Sequence, residues 1–317
     1  MKIVHVDPAC GLDIPPKNWG AIEKIIWEFE VNQRKQGHES THRLGGRIKK
    51  DEFDIVHCHV ANLAVDLKNR GIPYIYQLHD HHVKYYGKDS HTFKENLEAI
   101  EGSLISLMPA KWLVDYFNHP KCVYFAHGVN TNEFYPSPLP KLIPKNPKLL
   151  MVANNGMGGK NGHDRKGFSY GVGLAMLRNL PITIVGPKNN QNWINENLWV
   201  LNYPKLKFIW EPSNKDLRQV YLDHDIFLHP SELEAGHPNL TLLEAAACGL
   251  PIVGWIEMET DFHGMWRAPR NIFDMDKGLD DILQNWGRYT KDAIQTGIDF
   301  SWENRTKELF KIYNQML

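Results

Sequence analysis

Short apolar runs alternate along this chain with longer stretches in which apolar residues recur every three or four positions. Residues 3–6, 55–57, 74–78, 104–108 and 123–126 are runs too short for helices and predict strands. Between the first two, residues 22–34 predict a helix with Ile22, Ile25, Ile26 and Phe29 on one face. A second series of strand-like runs follows at 148–153, 182–186, 207–210, 226–229 and 251–254, with helical patterns between them, notably 241–248. Strands alternating with helices predict βαβ units and parallel sheets. Between the series, residues 136–144 carry Pro136, Pro138, Pro140 and Pro144. Such a stretch can continue neither a sheet nor a helix and predicts a linker. Two α/β units joined in this way predict a cleft, with ligands at the carboxyl ends of the strands. Residues 300–317 predict a further helix, capped by Ser301, with Trp302, Leu309, Ile312 and Tyr313 as its packing face against one of the domains.

Composition narrows the function classes. The 317 residues are 42% hydrophobic and 23% charged, with a formal charge of -1. These are globular values, and the length predicts two domains or one large α/β domain. Nucleic-acid binding driven by charge alone is disfavoured by the near-neutral balance. Cys10, Cys58, Cys122 and Cys248 lie far apart, which argues against a disulfide framework or a zinc ribbon and for a reducing compartment. The residues from Met1 to Val6 are too few and too interrupted for a signal peptide, and no run reaches the roughly 18 apolar residues of a membrane span. The expectation is a soluble cytoplasmic protein, free to sit at a membrane surface.

The chemistry concentrates at 229–254, HPSELEAGHPNLTLLEAAACGLPIVG. A strand leads into a polar loop; a helix follows, with Asn239 or Thr241 near its start and Gly249 just past its end. The first-turn amides of such a helix form an anion site. Glu244 inside it would aim a carboxylate at whatever fills the loop, and a carboxylate suits a vicinal diol. Its flanking residues, Leu242, Leu243, Ala245 and Ala246, predict an enclosed helix rather than a surface one. Arg165 and Lys166 lie in the glycine-rich stretch 156–167, between a strand and a helix. They read as a diphosphate clamp or, alternatively, as a solvated charge pair. His79 ends the run 74–78 within HDHH, where sugar contact, polar loop and metal site are the competing readings. Asp223-His-Asp225 has the form of a divalent-metal motif but reads as structural. His5, His57 and His59 read as core or cleft-lining residues.

The stretch 229–254 resembles the donor signature of the retaining family 4 glycosyltransferases, also called glycosyl transferases group 1. In that family two glutamates separated by seven residues bracket a nucleotide sugar. Glu244, followed by AAACGLP, resembles the second, ribose-binding one. The first would fall at Gly236. The nearest acids are Glu232 and Glu234, and a loop longer by two residues lets Glu234 reach the sugar. Residues 15–23 resemble the family's first glycine loop, with Gly20 and Ala21 where two glycines are usual. Further partial matches are Asp54-Ile-Val-His57 with His59, His127-Gly-Val-Asn130, Arg165-Lys-Gly167 and Ser301-Trp-Glu303. The family's arginine usually lies just after the strand, where this chain has Asn154 and Asn155, so Arg165 or Lys160 would substitute.

The resemblance implies an α/β chain of GT-B fold, two Rossmann-like domains with parallel sheets facing each other across a cleft. Residues 1–143 would hold the acceptor and 144–299 the nucleotide-sugar donor, with 300–317 packing back on the first domain. It implies transfer of a hexose or similar sugar from a nucleotide-diphosphate sugar, UDP favoured, with retention of configuration. No cofactor and no divalent metal are expected. His79, Glu234 and Lys166 would be catalytic. Gly20, Arg165, Lys166, Glu234, Asn239, Leu240, Thr241 and Glu244 would bind the donor. The acceptor, whether glycan, lipid, small molecule or nucleic acid, and the oligomeric state stay open. The alternatives are another GT-B activity, an epimerase or an inverting transferase, and a non-catalytic nucleotide-sugar-binding protein of the same fold.

Overall fold

A computed structural model describes residues 1–8, 11–16, 20–154, 164–187, 202–232, 234–236, 238–255 and 262–316. Cys10, Trp19, Asn155, Lys160 and most of the glycine-rich stretch lie outside the described residues. The chain forms two compact units. The first comprises Met1–Gly128, Glu234–Pro238 and Phe300–Leu317, and the second Val129–Leu233 and Asn239–Asp299.

In the first unit β1 (Lys2–Asp7), β2 (Glu39–Leu44), β3 (Ile55–Cys58), β4 (Ile75–Gln77), β5 (Ser106–Met108) and β6 (Cys122–Tyr124) form one sheet. Their order is β2-β1-β3-β4-β5-β6 and all pairs are parallel. Helices α1 (Ala21–Lys35), α2 (Ala61–Asn69), α3 (His82–Tyr86), α4 (His91–Gly102) and α5 (Lys111–Phe117) make the crossovers and pack around it. The central strands are apolar because helices cover both faces of a parallel sheet. Ile3, Val4 and Val6 of β1 are fully buried. The strand β2, ESTHRL, has no such run; it forms an edge, where polar residues are tolerated.

On α1, Ile25, Ile26 and Phe29 are buried as the pattern predicts, while Ile22 is half-buried. The same helix also buries Glu30, Asn32 and Gln33. A buried polar group is costly unless bonded. Glu30 receives Arg34 at 3.0 Å and His42 at 2.8 Å, and Gln33 receives the Ser40 hydroxyl at 2.6 Å.

The second sheet contains β7 (Leu149–Val152), β8 (Ile182–Gly186), β9 (Leu206–Trp210), β10 (Ile226–His229), β11 (Ile252–Gly254) and β12 (Met265–Arg267). It is parallel, in the order β12-β11-β10-β7-β8-β9. Its helices are α6 (Phe168–Arg178), α7 (Asn214–Asp223), α8 (Leu240–Ala247), α9 (Ile272–Gln284) and α10 (Trp286–Asp299). From β7 the chain winds outward through β8 and β9, then returns to place β10 on the other side of β7. The connections leaving β7 and β10 therefore diverge, and a crevice opens at their carboxyl ends. The proline-rich stretch 136–144 has no helix or strand; Lys141 accepts the Trp286 indole N–H at its carbonyl at 3.0 Å and gives its ammonium to the His224 carbonyl. Asp225 accepts the Lys148 amide at 2.9 Å, which ties β10 to the start of β7, while Asp223 accepts from Gln219 at 2.8 Å within α7.

A last described helix, α11 (Trp302–Asn314), belongs to the first unit. The Ser301 hydroxyl accepts the Asn304 amide at 3.4 Å, the cap the sequence predicts. Trp302, Leu309 and Tyr313 are buried and Ile312 is half-buried. Trp302 meets Phe29 edge-on at 5.1 Å, and Arg305 donates to the Ala126 carbonyl at 3.1 Å. A Cβ at Gly128 would lie 2.6 Å from the Trp302 ring, so the glycine admits the indole. Trp302→Ala is expected to cost about 3–5 kcal/mol. Denaturant unfolding measures it, and an unchanged midpoint would show that α11 is dispensable to the first core.

Candidate functional site

The crevice at the ends of β7 and β10 is built by stapling two loops. In the loop before α6, Asp164 accepts the Phe168 amide at 2.9 Å and the Ser169 amide at 2.6 Å, satisfying first-turn donors of the helix. Gly167 has φ +71°, and a Cβ there would lie 2.4 Å from the Pro230 carbonyl, so only glycine lets the loops approach. The Arg165 carbonyl accepts the Glu232 amide at 2.9 Å. Arg270 then bridges both loops. Its guanidinium donates to the Pro230 carbonyl at 2.8 Å and the Asp164 carbonyl at 2.7 Å, and it pairs with the Glu232 carboxylate. Arg165 and Lys166 are only 8% and 9% exposed, which is incompatible with a solvated charge pair. A buried pair of cations in a crevice is suited to an anionic ligand.

The loop after β10 leads into α8. Asn239 is its cap: the side-chain oxygen accepts the Leu242 amide at 3.0 Å and the Thr241 hydroxyl at 3.2 Å. Leu240 and Thr241 open the helix and are half-buried. Glu244 is 6% exposed, which excludes the reading as a surface glutamate. The Tyr221 hydroxyl donates to its Oε2 at 3.1 Å. Burial and the Glu244 carboxylate push the Tyr221 phenol well above its ordinary pKa, so it remains a donor. Gly249, at φ +79°, ends the helix after Cys248. The second unit thus carries Arg165, Lys166, Asn239, Leu240, Thr241 and Glu244.

Gly20, His79 and Glu234 belong to the first unit. Gly20 caps α1 at φ +142°, a conformation that favours glycine, and a Cβ there would come within 2.8 Å of the Glu23 carboxylate. Glu234 is buried, and its carbonyl accepts the Trp112 indole N–H at 3.0 Å. His79 follows β4 and joins a row of rings. His5 Nδ1 lies 3.0 Å from His59 Nε2, His59 Nδ1 2.9 Å from His79 Nε2, and His79 Nδ1 3.2 Å from His127 Nε2. The β1–β3 register sets His5 beside His57, whose Nδ1 lies 2.8 Å from the Tyr313 hydroxyl. Burial pushes His5 down to about 4, and burial with the Arg305 charge does the same for His127. Burial, then the neighbouring histidines, holds His57, His59 and His79 well below the ordinary histidine value.

Two groups have the composition of metal ligands. His5, His57 and His59 offer nitrogens within 4.8 Å of one another. His5 and His59 already share a hydrogen bond, Nδ1 to Nε2 at 3.0 Å, and His57 Nδ1 lies 2.8 Å from the Tyr313 hydroxyl. Asp80, His81 and His82 form the second group. Asp80 already accepts the His82 side chain at 2.7 Å and the His82 amide at 3.0 Å.

Four contributors escaped the sequence reading: Tyr221, Arg270, Asp164 and Gln33. Only Asp164 left a local signal, an acidic residue just ahead of a helix start. The other three act on partners distant in sequence.

The family model for glycosyl transferases group 1 matches residues 173–298, covering α8 and Glu244. Over these residues the chain is similar to the group 1 glycosyltransferases. An uncharacterized glycosyltransferase of Methanocaldococcus jannaschii is 22% identical over 309 residues, covering 84% of this chain and 77% of the relative. Among solved structures, sucrose-phosphate synthase from Thermosynechococcus elongatus superposes with a TM-score of 0.76 at 14% identity, covering 100% of this chain and 99% of the other. HepE from Anabaena, in complex with UDP-glucose, gives 0.72 at 12% identity and covers 99% and 100% of the two chains. These likenesses show the GT-B fold, two α/β units each with a six-stranded parallel sheet among the described residues. The match takes in β10, the loop after it and α8, while β7 and the loop that carries Asp164, Arg165 and Lys166 precede it.

Proposed function

We propose that this chain transfers a hexose or similar sugar from a nucleotide-diphosphate sugar, with UDP as the nucleotide, to a hydroxyl acceptor, retaining the anomeric configuration. The observation that carries this reading is the stapled crevice at the ends of β7 and β10. Buried Arg165 and Lys166 lie on one loop, and Asn239 and Glu244 on the helix that follows the other. In this reading Glu244 holds the ribose diol, with Tyr221 fixing its carboxylate. Lys166 and Arg165 neutralise the diphosphate, together with the Leu240 and Thr241 amides, which begin a helix and so lack intrahelical acceptors. The Asn239 side chain is committed to capping, which keeps α8 rigid where the ligand meets it.

Glu234 is the sugar-binding acid. Gly20 lets backbone approach the phosphates, as the family resemblance implies; His79, with both ring nitrogens bonded to neighbouring histidines, acts on the sugar through them. The charge that builds on the departing diphosphate is met by Lys166 and Arg165, a large effect in a dry site. The diphosphate itself then takes the acceptor proton on the face it leaves, which retains configuration without a protein nucleophile. No divalent metal is needed, since the cations hold the charge. The UDP assignment is supported by HepE, solved in complex with UDP-glucose.

A thermal-shift series with UDP, GDP, ADP and their sugars tests the donor site. A ligand that binds only the native state raises Tm by about 2–8 °C at concentrations near 100 times its Kd. UDP compounds are expected to do so with EDTA present, and anomeric NMR of the product is expected to show retention. No shift with any nucleotide would overturn the donor-site reading; an inverted product would overturn retention alone.

A further inference from the structure

The histidine row of the first unit has a direction. A neutral imidazole carries one N–H, so in a chain of imidazoles fixing one ring fixes every other. Every link here joins an Nδ1 to the next ring's Nε2: His5 to His59 at 3.0 Å, His59 to His79 at 2.9 Å, His79 to His127 at 3.2 Å. Successive rings lie within 27° of parallel.

The free choice is made at the far end. His5 Nε2 lies 3.0 Å from the Gln33 side-chain oxygen, which also receives the Ser40 hydroxyl at 2.6 Å. The amide nitrogen of Gln33 points instead to the Tyr313 hydroxyl at 3.5 Å. An oxygen only accepts, so His5 carries its proton on Nε2 and its lone pair on Nδ1. His59 must then donate from Nε2, as must His79 and His127. The chain ends at His127 Nδ1, a lone pair with no partner among the described residues. Head-to-tail hydrogen bonds polarise one another, so the last acceptor is strengthened by those behind it. Both nitrogens of His79 are consumed within the chain, which leaves His127 as its acceptor end.

We propose that Gln33 is a positioning residue which, through His5, His59 and His79, sets the tautomer of His127 so that its Nδ1 accepts a hydrogen bond from a hydroxyl of the sugar substrate. The substrate half of this inference rests on the transferase reading above; the tautomer half does not. It accounts for burying a glutamine and four histidines in a core where apolar residues would pack at lower cost.

The test is 15N NMR of the histidine-labelled full chain, with UDP-glucose hydrolysis as a second readout. In the parent protein His5, His59, His79 and His127 are all expected in the Nε2–H form. Gln33→Leu removes the anchor, and His127, which does not touch residue 33, is expected to become a mixture of tautomers. UDP-glucose hydrolysis should then fall about tenfold in kcat/KM, the worth of one hydrogen bond. Gln33→Glu keeps an obligate acceptor and should restore the His127 signal. If Gln33→Leu does not fold, Ser40→Ala, which frees the amide to turn, takes the same readouts. His127 in the Nδ1–H form in the parent protein, or unchanged by loss of the anchor, overturns the relay. A shifted tautomer with unchanged hydrolysis overturns the substrate contact. Hydrolysis absent from the parent protein as well would count against the transferase reading, with the NMR result still deciding the relay.

Discussion

Lowering the pH from 7 to 5 is expected to remove about 4 kcal/mol of stability through two histidines alone. His5 and His127 titrate near 4 in the folded protein because burial disfavours the charged ring, against about 6.5 when unfolded. The unfolded chain therefore binds more protons between pH 6.5 and 4. Stability is complete above pH 6.5, falls as the pH drops through that window, and levels off below the folded value. At pH 5 each ring contributes a loss of about 2 kcal/mol. His57, His59 and His79 are shifted in the same direction and add to the loss. Domains are typically stable by only 5–15 kcal/mol. The urea midpoint should therefore drop sharply between pH 7 and pH 5, well above the range where carboxylates titrate. Equal midpoints at the two pH values would mean that these rings are hydrated or charged in the native protein.

Glu244→Ala is expected to lower kcat/KM for the nucleotide sugar by about 100-fold, as two charge-assisted hydrogen bonds to a diol are lost. Lys166→Ala should act on kcat by a similar factor, because the charge it meets grows in the transition state. Glu244 is also bonded to Tyr221, so the first variant costs some stability, and both rates are to be measured on protein shown to be folded. Near-normal turnover in both variants would remove the second-unit crevice from the reaction. A raised KM with kcat intact in Lys166→Ala would make Lys166 a ground-state contact.

The strands at the centre of each sheet were legible because helices cover both their faces, which forces unbroken apolar runs such as ITIVG in β8. The edges were not. β2 and β12 have one open side, and their sequences, ESTHRL and MWR, carry polar residues that a central strand would exclude. The helix face read from α1 was right at Ile25, Ile26 and Phe29, but the burial of Glu30, Asn32 and Gln33 was invisible, since each depends on partners supplied by the fold. The same holds for the candidate site. Glu244, Asn239 and Lys166 lie in local motifs whose spacing carries the meaning. Tyr221 reaches Glu244 from another helix, and Arg270 staples loops that end roughly 40 and 100 residues before it. The alternating histidines at 5, 57 and 59 were recognised as interior, yet their hydrogen-bonded order follows from the β1–β3 register, which no single segment encodes.

The membership of α11 in the first unit bears on biosynthesis. The Trp302 indole, the Arg305 guanidinium and the Tyr313 hydroxyl are all built into that unit, yet they are translated only after the entire second sheet. On the ribosome the first unit therefore waits with Phe29 and the Ala126 carbonyl uncovered until residues 302–314 emerge. The half of the molecule begun first is the half completed last, and a nascent chain stalled before Ser301 exposes the surface on which chaperones act.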